Sequence, residues 1–383
     1  MTPGARLAAA MTVLDTILAG SPAEQALLRW SRASRFAGSG DRAAVRDLVF
    51  GALRRRDSLA ALGGGLTGRG LILGALRAEG GDPAALFTGA GHAPAPLTAA
   101  EADYRPPPDL PDDLPGWVRP LWHEALGPEA ASVAEAMRHR APVWLRVNLA
   151  RTAPEAAAAA LAAEGIQSEP APQLASALRV LSGERKLAAS RAYAEGLVEL
   201  QDLSAQLAAD ALPVGPGARV LDYCAGGGGK ALALAAREPG ARITAHDALP
   251  QRMADLPARA RRAGARIDVT TRPSGPFDLV VADVPCSGSG TWRRTPDAKW
   301  RLTPGDLEEL TALQALILTR VAPMVAPGGH LAYMTCSLLT AENAGQVARF
   351  LSGRQEFGLR LQRLWTPLDA SDGFFLALLQ RSG

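Results

Sequence analysis

From Arg219 onward the chain alternates short apolar segments with longer stretches of helical spacing, and no other feature constrains its fold as tightly. ARVLDY, ARITAHD, RIDVT, FDLVVAD and HLAYMT read as strands. KALALAARE, PQRMADLPARARRAG, a helix within 304–326 and TAENAGQVARFLS lie between or after them. Strands separated by helices cannot pair as tight hairpins. Each helix must cross over the sheet, which makes neighbouring strands parallel and covers both faces. The expected fold class is therefore α/β, with the apolar DGFFLALLQ at 372–380 closing the sheet. Thr303, Pro304 and Asp306 supply an N-terminal cap for the longest helix.

The rest of the chain reads differently. Residues 1–88 are expected to form an all-α domain: an amphipathic opening is followed by AEQALLRW and DRAAVRDLVFGALRRRDSLAAL. Leu7, Met11, Leu14 and Leu18 recur at helical spacing and Asp15 interrupts the apolar stretch, so the start reads as a packed helix and not a signal peptide. Residues 89–116 are rich in Pro, Ala and Asp, a linker composition. Residues 117–212 hold helical WVRPLWHEAL and EAASVAEAMRHR, strand-like PVWLRVNLA and helical PEAAAAALAAEG, and lead into the sheet domain of 213–383. At 383 residues and 48% hydrophobic content, the chain can bury two cores. No run is long enough to span a membrane, and no membrane partner is expected.

Charge adds little. The formal net charge is +3, and residues 1–60 carry nine Arg against five Asp plus Glu. Lys186, Lys230 and Lys299 are the only lysines, so the Arg excess reads most simply as genomic base composition and permits an anionic partner without requiring one. The cysteines Cys224, Cys286 and Cys336 form neither a disulfide framework nor a CxxC zinc pattern. A reducing, cytoplasmic setting without a metal follows as the expectation.

Three of the strands end in chemistry. The first runs into CAGGGGK, Cys224 to Lys230, and then a helix. Without Cβ atoms at Gly226, Gly227, Gly228 and Gly229 a ligand can approach the backbone, and the helix start offers free N–H donors. Such a turn serves NAD, a phosphate or S-adenosylmethionine, or merely reverses the chain. Asp247 narrows the choice, since it ends the next strand where a carboxylate would accept hydrogen bonds from ribose hydroxyls. Capping the following helix is its alternative role. Ala231 after Lys230 excludes the GxxxxGK[ST] phosphate loop. Two further strands end on thiols: FDLVVADVPCSGSG stops at Asp283, Pro285 and Cys286, and GGHLAYMTCS at Thr335 and Cys336. Isolated cysteines are usually core residues, but ligands of parallel sheets bind at the strand C-termini.

These segments resemble the Sun/RsmB-type RNA 5-methylcytosine methyltransferase family. LDYCAGGGGK is similar to that family's LDxCAAPGGK, DVPCSGSGTWRRTPDAKW to DxPCSGxGxxRRxPDxxW, and MTCSLLTAEN to TCSxxxxEN. LRVN at 145–148, QDLSAQLAADAL at 201–212 and DGFF at 372–375 match further elements in order, so the resemblance covers about residues 140–383. The helical N-terminus with GDRAAVRDLVFGALRRRDSL resembles the NusB-like RNA-binding domain of bacterial members; an ordinary helical cap is the alternative. The resemblance implies a Rossmann-like class I methyltransferase sheet, S-adenosylmethionine as cofactor and RNA, with rRNA foremost, as partner. It implies cofactor contacts from Cys224, Ala225, Gly226, Gly227, Gly228, Gly229, Lys230, Asp247 and Asp283, with a packing role for Cys224. Catalytic roles fall to Cys336 as nucleophile, Cys286 in its release, Asp283 and Lys230. DNA cytosine methyltransferases use a Pro-Cys cysteine as nucleophile, which is the rival assignment.

The chemistry accounts for two thiols. Cytosine C5 is a poor nucleophile until a thiolate adds at C6 and makes the ring enamine-like. Asp283 could hydrogen-bond N3 and the amino edge as charge shifts; Lys230 could orient the base or simply pair with a carboxylate. The base must be unpaired or flipped out to be reached. In TWRRTPDAKWR, Thr291 to Arg301, tryptophans alternate with Arg and Lys, which suits stacking and phosphate contact or, equally, core anchoring. Two departures stand out: Gly226-Gly227 replaces the family's Ala-Pro, giving a looser turn, and no acidic residue follows the third strand in VTTRPSGPFD, where Thr271 stands instead. The altered loop is the best argument for the contrasting expectation, a non-catalytic RNA-binding or ribosome-assembly factor that keeps the fold, whereas Cys286, Cys336, Asp283 and Lys230 together favour the enzyme.

Overall fold

A computed structural model describes all of residues 1–383, which divide into two compact units: Met1–Arg140 with Trp292–Leu302, and Ala141–Thr291 with Thr303–Gly383. The division falls at Arg140, beyond the Pro-rich stretch. That stretch is docked within the first unit: buried Asp113 accepts from the Ser58 amide at 2.9 Å and its hydroxyl at 2.8 Å.

In the first unit the main helices are Pro3–Leu18, Ala23–Ala33, Ser39–Arg54, Arg56–Gly63 and Gly68–Ala78. Leu7, Met11 and Leu14 are buried in its core with Val45, Val49, Leu53 and Leu73, so the spacing seen in the sequence is the buried face of the first helix. Glycine lets the last two helices touch: a Cβ on Gly63 would lie 1.7 Å from the Gly70 carbonyl oxygen, and one on Gly74 2.0 Å from that of Leu59. The Trp292–Leu302 segment belongs to this unit. Trp292 is 1% exposed and stacks on Trp122 with ring centroids 6.0 Å apart. The Trp300 indole N–H donates to the Leu53 carbonyl at 2.7 Å, beneath the Arg56 guanidinium at 3.6 Å from the ring. Lys299 donates to the Arg54 carbonyl at 3.2 Å, and burial lowers its pKa to about 8. Of the two readings of TWRRTPDAKWR, core anchoring describes Trp292, while Trp300 is half-buried.

The second unit contains two sheets. The smaller is antiparallel, formed by β1 (Val143–Val147), β2 (Gln167–Ala171), β3 (Leu174–Ser182) and β4 (Val198–Leu200) in the order β2-β3-β1-β4. The larger has seven strands: β5 (Arg219–Asp222), β6 (Arg242–Ala245), β7 (Ile267–Val269), β8 (Phe277–Asp283), β9 (Val325–Thr335), β10 (Phe357–Trp365) and β11 (Phe374–Arg381), ordered β10-β11-β9-β8-β5-β6-β7. β5 to β9 pair in parallel, while β11 is antiparallel to β9 and β10. This is the α/β sheet that the alternation implies. Val280, Val281, Ala282 and Leu331 to Met334 are fully buried, as strands covered on both faces require. The order reverses direction at β5, so the C-termini of β9, β8, β5 and β6 lie side by side at one sheet edge.

Candidate active site

The turn after β5 is pinned at successive peptides. The Ala225 amide donates to the His246 carbonyl at 2.9 Å, Gly226 N–H to Asp247 Oδ2 at 3.0 Å, and Gly228 N–H to the Ala225 carbonyl at 2.7 Å. Gly228 must be glycine for two reasons: its φ is +79°, and a Cβ would sit 2.2 Å from Leu256 Cδ1. The other carboxylate oxygen of Asp247 accepts from Leu249 N–H at 2.9 Å. Asp247 thus also holds local backbone, but it does not cap the following helix, whose N-cap is Leu249 with no side-chain cap bond. Arg252 Nη1 lies 3.7 Å from Asp247 Oδ2, and a carboxylate has acceptor positions beyond the two in use. A Cβ-free turn beside a carboxylate with spare acceptor capacity fits a nucleoside cofactor. Side chains contact the Gly226-Gly227 backbone: Asp247 accepts from Gly226 N–H, and Arg259 donates to the Gly227 carbonyl.

Asp222, at the end of β5, is buried and accepts from the Ala231 amide at 3.0 Å through Oδ2, while Oδ1 has no partner. Burial, with neighbouring Asp283 and Asp247, raises its pKa to about 7 against the opposing pull of Lys230. Cys224 follows two residues later, packed against the sheet core, and burial pushes its thiol up to about 12. It stays a neutral thiol at neutral pH, as a packing residue should. After β7 the chain carries Thr270 and Thr271, and Asp268 is exposed within the strand.

The two thiols meet. β8 and β9 are parallel neighbours with Asp283 opposite Met334, so the segments that leave them run together, and Cys286 Sγ lies 3.4 Å from Cys336 Sγ. Asp283 Oδ2 accepts from Lys230 Nζ at 2.7 Å, and the same ammonium lies 4.7 Å from the Phe374 ring centroid, which ties DGFF to the site. Burial works against the Lys230 charge, but Asp283 outweighs it and raises its pKa. The hydrogen bond with Cys336, then burial, pushes the Cys286 thiol well above its ordinary value. Two close thiols hold one charge far more easily than two, so ionisation of one keeps the other protonated.

Behind the sulfurs is a group to which no role attaches from sequence. Glu342 is fully buried and accepts four hydrogen bonds: from Ser287 N–H at 2.8 Å, Gln314 Nε2 at 2.9 Å, Ser287 Oγ at 2.5 Å and Ser337 Oγ at 2.5 Å. Asn343 accepts from Thr335 Oγ1 and donates to the Ser337 carbonyl at 2.8 Å. The residues after both cysteines are thus held by one Glu-Asn pair. Its signal is present in TCSLLTAEN, where the acid follows the thiol at a fixed distance. Lys230, Asp283, Cys286 and Cys336 form one cluster; Gly226 to Gly229 with Asp247 form the adjoining one.

Comparison with known proteins agrees with this arrangement. Residues 209–380 match the family model "16S rRNA methyltransferase RsmB/F", and residues 114–185 match the ferredoxin-like domain of the same proteins. The ribosomal RNA small subunit methyltransferase B of Xanthomonas campestris is 35% identical over 308 residues, 72% of this chain and 68% of that protein. The protein of that name from Salmonella arizonae is 33% identical over 284 residues, 69% of this chain and 66% of its own. The match therefore spans about two thirds of these relatives' length. The crystal structure of PH0851 covers 100% of the chain and 99% of its own, with a TM-score of 0.77 at 21% identity, a likeness of fold. Motif order, the paired strand-end thiols and the match to these relatives lead to one conclusion: the chain belongs to the RsmB/F family of 16S rRNA methyltransferases.

Proposed function

We propose that this chain methylates cytosine at C5 in RNA, with rRNA as substrate, through a covalent bond between Cys336 and cytosine C6. The observation that carries this reading is the 3.4 Å approach of the Cys286 and Cys336 sulfurs beside the Lys230–Asp283 pair. An N- or O-methyltransferase has no use for a second thiol at that distance. When bound, S-adenosylmethionine supplies an electrophilic methyl group, and Gly226 to Gly229 with Asp247 would hold it.

The chain's own residues do the rest. Cys336 Sγ forms a bond to C6, and the C5=C6 electron pair moves toward C5 and N3, which makes C5 nucleophilic. Asp283, braced by Lys230, would bind the N3 and amino edge where charge changes. After C5 is alkylated, its proton leaves to a base, the electron pair re-forms C5=C6 and the S–C6 bond breaks. Cys286, held protonated beside Cys336, donates its S–H to the departing sulfur. The Thr335-Cys336 element favours Cys336 as nucleophile over the rival order. The target base must leave its stack to reach two thiols at a sheet edge. The helical unit supports a role in RNA binding through the exposed Arg29, Arg32 and Arg35 of its second helix and the turn beyond.

The non-catalytic reading rests on Gly226-Gly227 replacing Ala-Pro, and the pinned loop weakens it. Bisulfite sequencing of rRNA from cells with and without the gene tests the proposal: one protected cytosine should become convertible when the gene is lost. An unchanged protection pattern would reject C5 methylation of rRNA.

A further inference from the structure

The substitution of Gly-Gly for Ala-Pro in the cofactor loop has a counterpart elsewhere in the second unit. Arg259, on the helix Leu256–Ala263, donates through Nη1 to the Gly227 carbonyl at 2.5 Å. Its Nη2 lies 2.9 Å from Glu199 Oε2, and Glu199 is 2% exposed at the centre of β4, where Arg262 also binds it. A Cβ on Gly227 would stand 2.7 Å from Arg259 Nη1, so a side chain there would have to shift the guanidinium from this position.

We infer that Arg259, anchored by Glu199, is a positioning residue that holds the cofactor loop in its binding shape, doing by a charge-assisted hydrogen bond what proline does by fixing φ. Glycine at two successive positions widens the loop's unbound ensemble, and that freedom must be removed before a ligand can be held. A restraint on the Gly227 carbonyl removes it in advance. Gly226 N–H is restrained by Asp247 and the Gly229 carbonyl faces Gln201 Nε2 at 3.4 Å, so the Arg259 contact completes a set running along the turn. Gly227 and Arg259 then form a matched pair, with the Arg259–Glu199 contact as its anchor. The inference rests on the cofactor reading above.

The test is calorimetric titration of the full chain with S-adenosylhomocysteine, for the unaltered protein, Arg259→Ala, Gly227→Ala and the double variant. Arg259→Ala should weaken binding roughly tenfold to a hundredfold, the scale of one charge-assisted hydrogen bond. Gly227 lies outside the left-handed region, so alanine is unstrained there, and its Cβ should displace the guanidinium and weaken binding by a similar factor. The double variant should bind no more weakly than either single one, because both remove one contact. Additive losses, or unchanged affinity in either single variant, would overturn the inference. Gly227→Ala removes no charge from the chain and leaves Arg262 on Glu199, so it serves if Arg259→Ala fails to fold. An unaltered chain that binds no S-adenosylhomocysteine would overturn the cofactor reading and this inference together; binding by the unaltered chain that Arg259→Ala retains would overturn this inference alone.

Discussion

The thiol end of the site and its cofactor loop are adjacent at one sheet edge but draw their side-chain hydrogen bonds from different parts of the chain. Around Cys286 and Cys336 most restraints come from within the motifs, from Ser287, Ser337, Glu342 and Asn343 in the same two short segments as the cysteines, with Gln314 added from the helix Pro304–Val321. Around Gly226 to Gly229 the side-chain restraints come from elsewhere, from Asp247, Arg259 and Gln201. A motif can therefore supply its own stiffness or borrow it, and only the first kind survives transfer to another chain. Substitutions should separate the two kinds.

The largest effect is expected at Glu342. Glu342→Ala strips the acceptor from four buried donors, and such a loss costs about 3–5 kcal/mol of stability. Chemical denaturation measures it, and a loss below 1 kcal/mol would mean the thiol end does not depend on this web. Next comes Asp222, beneath both regions. Burial raises it from 3.8 to about 7, so the folded chain keeps a proton that the unfolded chain has released. Stability should fall as pH rises from about 4 to 7 and level off above, by on the order of 4 kcal/mol at most. Asp222→Asn should flatten that slope in thermal melts across pH 5 to 8; an identical slope would place the titration elsewhere. A smaller effect belongs to the loop: Asp247→Ala should cost about 1.5–3 kcal/mol of cofactor affinity while leaving RNA affinity nearly unchanged. Equal losses for both ligands would show that the loop and the thiol end are not separable.

The same contrast explains what the sequence disclosed. The central strands were legible because burial on both faces leaves unbroken apolar runs, as in FDLVVAD and HLAYMT. β10 was not, since its edge position exposes Leu359, Arg360 and Leu361 and dilutes the pattern. β2 and β3 were missed for a like reason, with Gln167, Glu169 and Arg179 facing solvent. The thiols, Asp283, Lys230 and Asp247 could be named because strand ends in a parallel sheet converge. Arg259 could not, because its helix looks like any basic amphipathic helix and its two partners, Glu199 and Gly227, are distant in sequence. Trp292 and Trp300 were ambiguous because alternating aromatic and basic residues suit both RNA and a helical core, and only packing distinguishes them.

The central claim is that Cys336 attaches to the base and Cys286 releases it. Incubation with RNA substrate and S-adenosylmethionine, followed by denaturing electrophoresis, reads the attachment directly. The account predicts that Cys286→Ala accumulates a protein–RNA adduct, whereas Cys336→Ala and the double variant form none and Cys336→Ala loses methylation. An adduct in Cys336→Ala with none in Cys286→Ala would contradict it and reverse the roles of the two thiols.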